Sequence, residues 1–333
     1  MIRAQRGFTL IELMISMVLG LVVIGAVLSV MLANKRTYRT STAMSEVQES
    51  ARSAFELMAR DIRQSGATGC DNSGKVANVL NAGALWWQPW FVIKGFDGTD
   101  ADPAVAAGTN PGDRITGTDS LELQSIAGTG LAVKSHDTAN AKITINAATT
   151  DFATGSVLMV CDFDHAVIFQ ASGYDTTNVA VVHGDGTGAP GNCSKGLGFP
   201  TDCGTATGNA YKFGANSQIA HFSATDWYIG NNGRPDEGGR SLYRQRLTGS
   251  GALVTEEIVA GVTDMQIRYR INGSDSFADA STLAAADWPN VNALTVTFTL
   301  NSADQRASTD DTVNSGRLQR SFTSLVTLRN RVP

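Results

Sequence analysis

Charge is scarce in this chain. Only 17% of its 333 residues are Asp, Glu, Lys or Arg, against about 25% in an ordinary soluble domain. The gap is filled by 34 Gly and by many Thr, Ser and Asn. That balance disfavours a bundle of salt-bridged helices and suits β-strands joined by Gly/Asn/Asp turns. A positive excess is also missing: 26 basic against 31 acidic residues leave a net charge of −5, which argues against direct nucleic-acid binding. Signatures of chemistry are lacking as well. There is no G-x-S-x-G, no P-loop, no H-E-x-x-H and no dinucleotide fingerprint, and the glycine-rich stretch 184–188 reads as a turn. His136, His165, His183 and His221 are scattered singletons, read as surface or sheet residues. Cys70, Cys161, Cys193 and Cys203 form no C-x-x-C pair, and no zinc spacing is present. The expectation is a non-enzymatic protein with no cofactor and no metal. Disorder is excluded too, since 42% hydrophobic residues and five Trp can bury a real core.

What the chain does have stands at its start. Arg3 and Arg6 precede a run from Phe8 to Ala33 whose single charge is Glu12. As a helix this run is about 39 Å long, enough to cross a hydrocarbon core of about 30 Å. The two arginines place the N-terminus in the cytoplasm and the remainder outside, although Lys35, Arg36 and Arg39 weaken the asymmetry. The apolar run is too long for a secretory h-region, and no small-residue cleavage site follows it. A carboxylate near a membrane-helix centre costs about 2.5–3.5 kcal/mol, somewhat less near the end. Between residues 7 and 34 the helix has no Lys or Arg to offset Glu12. Either the residue snorkels into the head-group zone, or a positive partner comes from elsewhere.

The helical pattern continues beyond the membrane. Met44, Val47, Ala51, Phe55, Met58 and Ile62 recur at three- and four-residue steps as one apolar face. No proline interrupts the chain from Phe8 to beyond Arg63, and an αL stop is expected at Ser65–Gly66. The organisation read from this is a leader over 1–7, a helix over 8–65 and a β-rich head over 66–333 with a variable region at 71–225. Within the helix, 8–33 is the spanning part and 34–65 the amphipathic part. In the head, Trp86, Trp87, Trp90 and Phe91 form either an exposed binding patch or a loop buried against the sheet or a neighbouring subunit. Strands are expected around Leu121 and Leu123 and at 131–135, 142–146, 156–162, 166–170 and 177–183. Further on, Trp227–Gly230 pairs with Ser241–Leu247. Residues 256–271 begin as a turn or helix and become a strand. Strands follow over 292–302 and 320–330, the latter burying Phe322, Leu325 and Val326. Asp162, Asp164 and His165 carry potential cation ligands without a calcium-loop spacing. In an exported chain four cysteines point to two disulfides with three possible pairings. Cys193–Cys203 would close a small loop, and Cys70–Cys161 would tie the helix end to the sheet.

The segment R-G-F-T-L-I-E-L, Arg6 to Leu13, resembles the class III signal of type IV pilins and of the pseudopilins of type II secretion. Tyr243-Arg244, the run V-x-D-M-Q-I-R-Y at 262–269 and the closing F-T-S-L-V-T-L-R-N at 322–330 resemble the PilW group of minor pilins. The J-class minor pseudopilin is a cousin with a similar large β head. The resemblance covers 6–70 and 241–330 and is poor across 71–225. It implies an α+β pilin fold: a long N-terminal membrane-spanning helix packed on an antiparallel β-sheet head with large insertions. It also implies cleavage after Gly7 by a prepilin peptidase, methylation of Phe8, and pairing of Glu12 with the N-terminal amine of a neighbouring subunit. The implied partners are that peptidase, other minor pilins, the major pilin, a large tip adhesin and the inner membrane. The implied location is the inner membrane, with a periplasmic C-terminus, and the pilus after assembly. Many major pilins carry Pro where this chain has Ser29, so the resemblance does not extend to a proline-dependent melting of the helix there. A pseudopilin of type II secretion and a membrane-anchored binding module are the alternative readings.

Overall fold

A single α-helix, α1 (Leu10–Gln64), opens the described chain. The computed structural model describes residues 9–331 apart from 71–73, 187, 309, 311 and 313. Straight-chain and alanine residues dominate α1 and no proline interrupts it, while Glu12 in the first turn and Arg63 in the last complement the helix dipole. It stops where the sequence supplies glycine. Gly66 has φ +73°, and a Cβ there would lie 2.8 Å from Val92 Cγ1, so both backbone and packing demand the missing side chain.

The chain divides into two compact units. One gathers the chain up to Glu49 with Asn301–Arg320, and the other comprises Ser50–Leu300 with the chain from Ser321 onward. In the first, Ala43 is buried with Ala307 and Leu318, with Met44 packed beside them. Thr40 Oγ1 donates to the Ala307 carbonyl at 2.7 Å, and Arg39 approaches Asp304 at 3.9 Å.

In the second unit the end of α1 buries Ala51, Ala54, Met58 and Ile62, and the Phe55 ring lies 4.8 Å from that of Phe298. Eleven strands form one sheet: β1 (Val76–Asn78), β2 (Ile93–Phe96), β3 (Ser120–Asp137), β4 (Lys142–Ile145), β5 (Val157–Cys161), β6 (Ala166–Gln170), β7 (Gly173–Asp175), β8 (Ala180–Val182), β9 (Gln218–Asn231), β10 (Arg240–Leu247) and β11 (Leu253–Ala260). The order is β1-β6-β5-β9-β3-β4-β8-β7, with β2 on β3 and the β10–β11 hairpin on β9. Only β1–β6 pairs in parallel among the registered pairs of this sheet. A second sheet, β12 (Val262–Ile271), β13 (Val291–Asn301) and β14 (Gln319–Thr327), runs in that order. It is bound to the first through Asp119, whose backbone N–H donates to Met265 and whose carboxylate accepts from Ile267 N–H at 2.7 Å. The whole is a pilin-like α+β fold.

Several expectations are corrected. Residues 256–260 are neither turn nor helix but part of β11, because Glu256 and Glu257 are held across the hairpin by arginines of β10 and of the preceding turn. The strand expected over 177–183 is broken by a turn in which Asp175 Oδ1 accepts from the backbone of Thr177 and Asn178. Leu325 is 56% exposed, whereas Val326 is buried. Phe322 and Leu325 are an odd number of residues apart and cannot share a strand face.

Candidate assembly site and its support

Gly7 and Phe8 lie outside the described residues. The site is visible from Thr9 onward, where α1 begins with a reciprocal cap. Glu12 N–H donates to Thr9 Oγ1 at 3.3 Å, and both the Thr9 N–H and its hydroxyl donate to Glu12 Oε2 at 3.1 Å. Thr9 is thus the N-cap and Glu12 the N3 residue of a capping box, in which each side chain accepts from the other residue's backbone N–H. The T-x-x-E spacing carries this signal in the sequence, beside the membrane cost that the same carboxylate brings. The following apolar side chains have no cover: Leu10, Ile11, Leu13 and Met14 are 51–75% exposed, and so is the run through Leu32. A continuous apolar surface of this length calls for lipid or for other helices.

Within the second unit, the end of α1 is fixed by a polar clamp that the sequence reading missed. Asp61 Oδ2 accepts from the indole N–H of the fully buried Trp227 at 3.1 Å, and Arg244 reaches the same carboxylate oxygen at 3.6 Å while lying over the Trp227 ring. Burial raises the Asp61 pKa, against the opposing pull of Arg244. Glu256 takes Arg246 at 2.9 Å and Arg244 at 2.8 Å, and these bonds hold its carboxyl down at about 2. Glu257 binds Arg234. Arg244 and Arg246 of β10 are therefore balanced by acids of the helix and of β11.

Deeper in the sheet, Glu122 of β3 and Asp226 of β9 face each other in register. They are 1% and 0% exposed. Among the described residues neither oxygen of Asp226 has a hydrogen-bond partner, nor has Glu122 Oε1. Burial, with Asp102 adding a like charge, pushes Glu122 to about 8 and Asp226 well above its usual range. Burial thus favours the neutral form of both. The nearby Arg114 guanidinium is taken up by the carbonyls of Phe96, Asp97, Asp100 and Thr118.

The histidines are not singletons. His136 and His183 are buried with their Nε2 atoms 3.0 Å apart, brought together because β3 and β8 flank β4. His136 Nδ1 accepts from the Phe213 N–H, which assigns its proton to Nε2 and makes it the donor to His183. His165 is buried between Asp164 at 2.8 Å and the Leu197 carbonyl at 2.8 Å. Asp162 is spent on the backbone of Asp164 and His165 and on the Tyr211 hydroxyl. Among the described residues no group of three or more His, Cys, Asp or Glu is placed to hold a metal ion. Disulfides join Cys70 to Cys161 and Cys193 to Cys203. Of the tryptophan loop, Trp86 and Trp87 are buried, with Trp86 donating to Gln245 Oε1 at 3.1 Å, while Trp90 and Phe91 are partly exposed.

A capped, uncovered apolar helix at the N-terminus and an antiparallel-rich head together define a pilin-like protein. Residues 2–28 match the family described as the prokaryotic N-terminal methylation motif, and residues 226–330 match the Type IV Pilus-assembly protein W family. The two matches support a minor pilin of the PilW type. No curated protein and no solved structure matches the chain. Both matched families are structural assembly components rather than enzymes. The motif and the apolar helix point to membrane anchoring and association with a type IV pilus, and so to encounters with other pilins and with the peptidase that processes the motif.

Proposed function

We propose that this chain is a minor type IV prepilin that is cut after Gly7, methylated on Phe8, and joins a tip or priming complex that starts pilus assembly. The observation that carries the proposal is the capping box at the head of an uncovered apolar helix. The box holds the Glu12 carboxylate at the helix N-terminus, where aligned peptide dipoles stabilise negative charge. Part of the membrane cost is thereby met within the chain. The remainder is met in the filament, where cleavage creates an α-amine on Phe8 and a neighbouring subunit offers that amine to Glu12. The pair sets axial register as each subunit enters.

The partners are other minor pilins, the major pilin and a large tip adhesin that the complex displays, in support of twitching or attachment. Before assembly the chain spans the inner membrane once with its C-terminus in the periplasm; afterwards it lies on the cell surface in the pilus. Mass spectrometry of filament-associated protein tests the reading. An N-terminus at methylated Phe8 is expected, and an intact leader in assembled material would overturn it.

A further inference from the structure

Two cavities adjoin where the chain leaves α1. One of 590 Å³ and one of 500 Å³ share Gly74, Trp90, Val92 and Arg331 in their walls. Each has the size of a ligand pocket, in the general range of about 300–1,000 Å³. Phe91 and Trp288 extend the apolar wall of the second, and Lys94 stands on its rim. Although the chain as a whole carries a net charge of −5, no Asp or Glu occurs among the described lining residues of either cavity. The charge among those described residues is positive.

Arg331 is the second, independent sign. It is half-buried, donates to the Pro289 carbonyl and forms no ion pair among the described residues. Burial lowers its pKa, and among the described residues no carboxylate opposes that shift. A partly desolvated guanidinium without a counter-ion is costly unless an anion arrives, and Arg is the side chain best shaped to receive a carboxylate in two parallel hydrogen bonds. Lys94 is exposed, with its Nζ 4.9 Å from the centroid of the Phe96 ring, and supplies a second positive charge.

We propose that this two-lobed trough seats an extended acidic peptide segment of a partner protein, with carboxylates on Arg331 and Lys94 and an apolar side chain between Trp90 and Trp288. Charge complementarity selects the occupant. The aromatic walls supply rigid apolar area of the kind that anchors peptide side chains, and two joined lobes suit a chain better than one compact molecule. The inference goes beyond the assembly role and does not depend on it.

The test is fluorescence anisotropy of the full chain in detergent micelles, with a neutral-dye-tagged peptide of alternating Glu with Leu and Phe. Saturable binding is expected, at least 10-fold weaker when each Glu is replaced by Gln. Arg331→Ala and Lys94→Glu should each weaken it at least 5-fold. Because Lys94 is an exposed side chain, Lys94→Glu decides the matter even if Arg331→Ala misfolds. Equal binding of the Glu and Gln peptides, or full binding by folded Lys94→Glu, would overturn the proposal. So would complete displacement of the peptide by phosphatidylglycerol, which would make the trough a lipid-headgroup seat, or dimerisation through these residues that the peptide fails to inhibit.

Discussion

Trp227 of β9 donates its indole N–H to Asp61 of α1 across 3.1 Å, and this bond is the polar centre of the contact between the end of the helix and the sheet. Trp227 is fully buried, so its donor has no water to fall back on. Asp61→Ala therefore leaves an unsatisfied indole and removes one acceptor from Arg244, at a cost of about 1–3 kcal/mol. Asp61→Asn keeps a hydrogen-bond acceptor, and burial already disfavours the charged form of Asp61. Thermal melts of the detergent-solubilised chain should show the Asn variant losing less than half of what the Ala variant loses. Equal losses would mean that the negative charge, rather than the hydrogen bond, holds the helix.

The facing carboxyls Glu122 and Asp226 make stability fall as pH rises. In the unfolded chain they release their protons in the ordinary carboxylate range, while the folded protein holds them until about 8 for Glu122. The unfolded state thus binds fewer protons between about 4.5 and 8, and each step up in pH favours it. Above the ordinary histidine value of 6.5 these acids act without opposition from the buried imidazoles. Denaturant midpoints should decline from pH 6.5 to 8.5 in the wild type. Glu122→Gln should flatten the decline, and an unchanged slope would contradict the assignment.

The histidine pair works in the opposite direction. Burial lowers His136 to about 4 and His183 to about 3. The unfolded chain takes up protons as pH falls below 6.5 and the folded one does not, so stability is lost progressively from 6.5 down toward 4. A proton–nitrogen NMR titration should find both imidazoles neutral at pH 5.5. A midpoint near 6.5 for either would mean the pair is open to solvent.

The long helix was legible because its signals are local: no proline, an apolar run, then a 3.6-residue stripe from Val47 to Ile62. The β-rich class was legible from composition and alternation. Glu256 and Glu257 misled because two acids ahead of an apolar pair imitate the start of a helix, and only the arginines across the hairpin show why they belong in a strand. Leu325 was a lapse of parity that strict period-two counting would have caught. The His136–His183 pair, the Glu122–Asp226 pair and the Asp61 clamp are contacts between distant segments, and no local pattern announces which strands the fold brings together. Thr9 is the reverse case, since its T-x-x-E signal was in plain view and was eclipsed by the question of charge in the membrane.

The Cys70–Cys161 bond ties the segment after α1 to the end of β5 across a sequence separation of 91. In the chain-entropy account a loop of that size is worth about 4–5 kcal/mol. The double substitution Cys70→Ser with Cys161→Ser should therefore lower the denaturant midpoint of the head more than Cys193→Ser with Cys203→Ser, which opens a loop of separation 10 worth about 2–3 kcal/mol in the same account. Comparable losses would mean that strain or unfolded-state structure, and not loop closure, governs the bonds.

Under the proposed function Glu12 carries two roles that substitution can separate. As the N3 residue of the capping box it needs only an acceptor for the Thr9 N–H and hydroxyl, which glutamine also provides. As the partner of a neighbour's α-amine it needs a negative charge, which glutamine lacks. Glu12→Gln should therefore keep the helix start intact and keep membrane insertion, which becomes easier once the single charge of the apolar segment is gone. Cleavage after Gly7 should continue as well, because the scissile bond lies five residues away. Recovery of the chain with sheared pili should nevertheless drop about as far for Glu12→Gln as for Glu12→Ala. Thr9→Val gives the complementary arm, since it removes the hydroxyl of the cap and keeps the carboxylate. Its recovery should stay near that of the wild type, with a loss of helix stability of about 1 kcal/mol. Should Glu12→Gln assemble normally while Glu12→Ala and Thr9→Val both fail, the carboxylate would be a helix cap alone, and pairing between subunits would have to rest on other groups.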